Sequence, residues 1–158
     1  GREYYFVSDA EFDAMAANNG FVEWANVHSR RYGTAKKSLE ERIQGGTDVL
    51  LEIDCQGAAQ VRRLFPESIQ IFIVPPSRAA LRERLSNRGQ DSDAVIERRL
   101  AGSLAELQQH VSFDYVVVND QFETALTHLK SIIQAARLTV AQQSIRQQSL
   151  LSRLISGE

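Results

Sequence analysis

Six of the chain's fifteen arginines fall between Arg78 and Arg99, against three lysines in all 158 residues. Arginine presents a planar fork that grips a phosphate or a carboxylate through two bonds at once, so this stretch is where an anion is expected. Arg84 and Arg88 stand four apart, hence on one helical face. Arg99 lies beyond a bend at Gly89-Gln90-Asp91-Ser92. Three guanidiniums about a glycine-containing bend suit a clamp on a polyphosphate that opens and shuts. The same stretch also reads as a solvated helix pair, with Glu83, Asp91, Asp93 and Glu97 as partners.

A second group is acidic. Glu52 and Asp54 occupy alternate positions of an apolar run, so their side chains share one face if the run is a strand. Carboxylates at a strand's carboxyl end hold a metal's water shell or accept hydrogen bonds from a ligand; equally, Asp54 could cap the helix expected to start before Gly57. A third group is Tyr4, Glu23, Tyr32 and Thr34. A carboxylate on a half-buried strand, beside tyrosines and a hydroxyl, suits a base with adjacent N–H donors, which describes guanine. His28, His110 and His128 lack metal-ligand spacing and read as surface residues. Cys55 reads as a packing residue. No Gly-x-Ser-x-Gly elbow is present, and none of the nine glycines is followed by lysine, so these 158 residues contain no Gly-x-x-x-x-Gly-Lys-Ser/Thr loop.

The elements that must position these groups follow from pattern. Residues 4–7 read as a short strand. Ser8, with Glu11 three residues on, predicts a capping box and a helix running to Asn18-Asn19-Gly20. A half-buried strand is expected over 21–27, a helix over 34–44 ended by Gly45-Gly46, and a buried strand over 49–54 before a helix to Phe65. Another buried strand, 69–74, closes at Pro75-Pro76. Helices follow over about 78–87 and 93–109, then a strand over 115–118 and a mostly helical stretch from 122 to about 154. Strands alternating with helices, three of them continuous apolar runs, predict an α/β fold whose parallel sheet is covered on both faces. Ligands in such sheets bind beyond the strands' carboxyl ends, where Glu52, Asp54, Asn119 and Asp120 fall. The region 4–27 reads as a small insertion outside the main sheet.

Composition bounds the remaining classes. Apolar residues make up 43% and charged residues 24%, as in ordinary globular domains, and the length suits one domain. The longest apolar runs fall far short of the ~20 residues that span a bilayer, so no membrane partner is expected. A net charge of −2 argues against nucleic acid as a partner. The opening residues show no charged-then-apolar signal pattern, and one cysteine cannot close an internal disulfide. A reducing, cytoplasmic setting is therefore expected. Homo-oligomerisation is left open.

Taken in order, several motifs give the chain a family likeness. Tyr4-Tyr5-Phe6-Val7, Phe21-Val22-Glu23-Trp24-Ala25, Tyr32-Gly33-Thr34, Leu51-Glu52-Ile53-Asp54-Cys55-Gln56-Gly57, Pro75-Pro76-Ser77, Arg84-Leu85 through Arg88-Gly89, Arg98-Arg99-Leu100 and Val118-Asn119-Asp120 follow one another with spacing that resembles the guanylate kinases. The resemblance implies a nucleoside monophosphate kinase-like fold and transfer of the γ-phosphoryl group of ATP to GMP, giving GDP and ADP, with Mg²⁺. It implies that Glu23, Thr34 and Asp54 read guanine, and that Tyr4 and Tyr32, with Gly33 between Tyr32 and Thr34, hold the GMP phosphate. Arg84, Arg88 and Arg99 would act from a lid on the transferring phosphates, Asn119 would lie near adenine, and Glu52 would order a water on the metal. The implied division is a GMP-binding insertion over 1–46, a core over 47–76 and 113–158, and a lid over 77–112. In the family a strand, a phosphate loop and a two-arginine segment precede the residue matching Gly1, so the chain is expected to be a fragment with background turnover. The alternatives are a non-catalytic guanylate-kinase-like module that binds phosphopeptides, or a monophosphate kinase with another base preference.

Overall fold

The computed structural model describes residues 4–27, 30–87 and 93–157, with no side-chain account of Val27 or Asp93. The chain divides into two compact units, Gly1–Gln70 and Ile71–Glu158. In the first, the Ser8 hydroxyl accepts from the Glu11 N–H, and the Glu11 carboxylate accepts from the Ser8 N–H at 2.8 Å. This is the expected capping box, and it starts helix α1 (Asp9–Ala17). The helix stops where Asn19 turns left-handed at φ 52°, a conformation asparagine tolerates.

Strand β1 (Phe21–Val27) then pairs antiparallel with β2 (Arg30–Ala35). The Lys36 N–H closes the base of this hairpin on the Gly20 carbonyl at 2.8 Å. The register slips between Phe21, opposite Ala35, and Glu23, opposite Thr34. A bulge of this kind breaks strict alternation. As a result two successive side chains, Val22 and Glu23, are both buried, at 2% and 7% exposure. Arg31 of β2 ties the hairpin to α1: it donates to the Asp9 carboxylate at 2.6 Å and to that of Asp13, and its guanidinium lies 4.5 Å over the Phe12 ring. The hydrogen bond to Asp9, then that to Asp13, raises the Arg31 pKa above its usual value.

Helix α2 (Lys36–Gln44) ends at Gly45, with Gly46 at φ 75°. Helix α3 (Cys55–Leu64) begins at Asp54, whose Oδ1 accepts from the Gly57 N–H at 2.8 Å. Val22, Leu39 and Val61 bring β1, α2 and α3 together in one core. Val49, Leu51 and Ile53 pack against it.

Three expectations for this unit need correction. Residues 4–7 form no strand: Tyr5 and Phe6 are 91% and 86% exposed, and β-forming side chains without a ladder partner leave the backbone irregular. Residues 49–54 also form no strand, because no strand among the described residues pairs with them. They keep a strand's period of two, with Val49, Leu51 and Ile53 inward while Leu50 and Glu52 are exposed. Thr34 lies in β2 instead of opening a helix, since its cross-strand partner Glu23 draws it into the hairpin.

In the second unit, β3 (Ile71–Val74) and β4 (Tyr115–Val118) pair in parallel, Ile71 opposite Tyr115 and Val74 opposite Val118. The α/β character and parallel pairing agree with expectation. Burial on both faces does not: Ile73, Val116 and Val118 remain about half exposed, because two strands alone shelter little of each other's surface. Ser77 caps α4 (Arg78–Ser86) by accepting from the Ala80 N–H at 3.1 Å. Helix α5 (Asp93–Leu107) is tied to α4 by an Arg82–Glu97 ion pair and runs into a 3₁₀ turn, Gln108–Ser112. The last helical stretch is three helices, α6 (Phe122–Arg137), α7 (Val140–Arg146) and α8 (Gln148–Ser156). Thr139 interrupts it by capping α7, its hydroxyl accepting from the Gln142 N–H. No helix among the described residues is long and apolar enough to cross a membrane.

The capping box makes α1 sensitive to acid. The Ser8 hydroxyl, then the Ser8 N–H, lowers the Glu11 pKa from its ordinary 4.5. A folded value below the unfolded one stabilises fully above about pH 4.5 and fades as pH falls through the folded value. Hydrogen-exchange protection of the α1 amides should therefore weaken on acidification below that pH. In Glu11→Gln the pH dependence should flatten; identical profiles would contradict the assignment.

Candidate functional site

In the first unit Thr34 meets the buried Glu23 directly, and Asp54 borders it by way of Gly57. Glu23 and Thr34 face each other across the hairpin, and the Thr34 hydroxyl donates to Glu23 Oε1 at 2.5 Å. Such direct cross-strand pairs are the natural contact of an antiparallel ladder. On the other side of the carboxylate lies α3. A Cβ added at Gly57 would stand 3.0 Å from Glu23 Oε2, 3.2 Å from Ile53 Cβ and 3.4 Å from Asp54 Oδ1, so a side chain there would crowd the carboxylate. Asp54 is joined to this group through its cap on Gly57.

Tyr32 stands two residues before Thr34, on the same face of β2 by the strand's period, with Gly33 between them. The Tyr4 ring meets Tyr32 edge-on, with centroids 5.7 Å apart. Strand β2 therefore carries both Tyr32, which meets Tyr4, and the hydroxyl of the carboxylate pair. Gly33 serves the hairpin itself, because a Cβ there would come within 2.8 Å of the Phe21 ring. Glu52 is exposed.

In the second unit the Arg84 guanidinium donates to the Asn119 carbonyl at 2.8 Å, and the Asn119 N–H continues the β3–β4 ladder by donating to the Val74 carbonyl at 2.8 Å. Arg84 and Asn119 thus meet at the carboxyl end of the parallel pair, where open α/β sheets take their ligands. Beside Asn119, an apolar cavity of about 190 Å³ opens between the strands and Phe122, Ala125 and Leu129 of α6. Arg99 is half-buried on α5. Arg88 lies outside the described residues. His110 and His128 are exposed, as expected, while His28 also lies outside the described residues.

Sequence reasoning assigned no role to Gln60 or to the space that Gly57 leaves. Gly57 stood within a quoted motif, but its role depends on the approach of β1, which no local pattern reveals. Gln60 is one polar residue on a mixed helix and carries no signal of its own.

Comparison with known proteins places these features in a family. The family model described as guanylate kinase matches residues 1–136. The chain is 50% identical over 155 residues to a guanylate kinase of Dechloromonas aromatica, covering 98% of this chain and 77% of that protein. It is 49% identical over 156 residues to one of Acinetobacter baylyi, covering 99% and 75%. The crystal structure of guanylate kinase from Anaplasma phagocytophilum superposes with a TM-score of 0.74 at 32% identity, over 90% of this chain and 69% of that one. The fold is of the nucleoside monophosphate kinase-like α/β class. Within that class, the chain belongs to the guanylate kinase family.

The Thr34 hydroxyl is the donor that satisfies a buried carboxylate, and a hydrogen bond to a charged group contributes roughly 1.5–3 kcal/mol. Thr34→Val should destabilise the chain by about that amount in urea unfolding, whereas Thr34→Ser should retain most of the stability. Equal stability of the valine variant and the parent chain would contradict this role.

Proposed function

We propose that the first unit recognises GMP and that the reaction it serves is transfer of the γ-phosphoryl group of ATP to GMP, giving GDP and ADP. The observation that carries this reading is the buried Glu23 carboxylate, held from one side by Thr34 and bordered on the other by Gly57. A carboxylate fixed in this way accepts guanine N1–H and the 2-amino group together. Adenine offers no such pair, and a buried acceptor left without its donors penalises the wrong base. Thr34 and Asp54 complete the base contacts, while Tyr4 and Tyr32, with Gly33 between base and phosphate ends, hold the GMP phosphate.

Phosphoryl transfer requires in-line placement and neutralisation of spread negative charge, with no covalent nucleophile. Arg84, Arg88 and Arg99 supply that charge from the segment 77–112, acting as a lid over the core segments 47–76 and 113–158. Closure also excludes water that would otherwise accept the phosphoryl group. Arg84 at the carboxyl end of β4, beside Asn119, supports an ATP-side role for both. Among the described residues no group of three or more His, Cys, Asp or Glu side chains converges on one point. Mg²⁺ needs no such cage, because it keeps most of its waters and binds through nucleotide phosphates. When bound it neutralises charge on the ATP phosphates, and Glu52 would order one of its waters.

The 158 residues hold no Gly-Lys phosphate-loop pattern to cradle the ATP β-phosphate. This chain alone is therefore expected to bind GMP yet release ADP from ATP and GMP only at background rate in a coupled assay. Glu23→Gln should weaken GMP binding by roughly 10- to 100-fold while leaving AMP binding unchanged, as measured by titration calorimetry. Binding of a phosphorylated peptide with no binding of GMP would favour the non-catalytic module instead.

A further inference from the structure

Among the described residues β1 pairs with β2 along one edge, and beside Glu23 its other edge meets the Gln60 side chain. The Gln60 carboxamide accepts from the Trp24 N–H at 3.2 Å and donates through Nε2 to the Trp24 carbonyl at 2.9 Å. The same Nε2 reaches the Gln56 carbonyl at 3.4 Å, one turn back on α3. A primary amide offers an acceptor and a donor side by side, as a peptide unit does, so Gln60 stands where a neighbouring strand would otherwise pair. Gln60 is also three residues after Gly57, hence on the same side of α3, and Gly57 is the residue that borders Glu23 Oε2. Helix α3 therefore meets two consecutive residues of β1: the backbone of Trp24 and the carboxylate of Glu23.

The position matters because the ladder with β2 is interrupted immediately before Glu23, where the bulge at Val22 falls. A bulge interrupts the ladder, raises the local twist and re-aims the side chains beside it. The ladder resumes at Glu23 and Trp24, and the two bonds from Gln60 add a second restraint there, from the opposite edge. We infer that Gln60 is a positioning residue for guanine selection: by pinning Trp24 it fixes the direction in which both Glu23 oxygens meet the purine edge. Gln60 touches no nucleotide in this account; it acts through the β1 backbone. The inference rests on the reading of Glu23 as the guanine acceptor.

The test measures affinities of the 158-residue chain for GMP, IMP and AMP by titration calorimetry, since IMP keeps N1–H but lacks the 2-amino group. Gln60→Leu removes both bonds at similar size. Gln60→Glu keeps an acceptor for the Trp24 N–H and loses the donor to its carbonyl, which provides a second variant if the leucine chain does not fold by circular dichroism. The expected result is a GMP-over-IMP ratio that falls roughly tenfold in either folded variant, with AMP affinity unchanged. A loss of affinity shared equally by all three nucleotides, with the ratio preserved, would make Gln60 merely structural and overturn the inference. If the parent chain itself fails to prefer GMP over AMP, the reading of Glu23 fails first, and that outcome is separate from any effect of Gln60.

Discussion

A glutamate residue that is 7% exposed is expensive to hold in a small unit unless its carboxylate finds donors and its surroundings leave it room. Much of the first unit follows from this requirement at Glu23. Strand β2 must lie alongside to bring the Thr34 hydroxyl to Oε1. Glycine at position 57 lets α3 approach Oε2 without crowding it. The bulge at Val22 must turn two consecutive residues inward, one into the Val22–Leu39–Val61 core and the other toward the carboxylate's partners. A buried acceptor with fixed direction is also what the proposed selection of a purine by its N–H edge demands.

The rest of the unit braces that hairpin. Arg31 spans Asp9 and Asp13 and covers Phe12, while Phe12 packs on Phe21 and Trp24 with ring centroids at 4.6 and 5.9 Å. Helix α1 is held by charge at one end of this contact and by aromatic packing at the other. In the second unit the ordering principle differs. There a parallel strand pair ends in backbone groups, and the Arg84 guanidinium spends one of its donors on the Asn119 carbonyl. Its remaining donors belong to the same fork, which is the kind of group that meets phosphate oxygens in pairs.

Local signals were legible in the sequence where local chemistry decides the outcome. Ser8 with Glu11 and Asp54 ahead of Gly57 each mark a helix start that the structure keeps, because such a cap is made by residues three apart, and Gly45-Gly46 marks a helix end. Strands depended on partners far along the chain. The polar segment Arg30–Ala35 gave no apolar alternation, yet it is a strand through its pairing with β1. Residues 4–7 and 49–54 had the right composition and no partner among the described residues, so they are not strands. Of the site, residue chemistry grouped Glu23 and Thr34 with two tyrosines, and the family resemblance gave them their roles, since a lone glutamate on a strand says little. Their contact, and the part played by Gln60 and Gly57 around them, exists only once β1, β2 and α3 are in place.

Recognition by Glu23 requires the nucleotide base to sit against its carboxylate. A crystal structure of the chain with GMP should show guanine N1–H and the 2-amino group donating to the two oxygens of Glu23, with the phosphate near the Tyr4 and Tyr32 hydroxyls. Density for the purine at another surface, with Glu23 still bound only to Thr34, would contradict it.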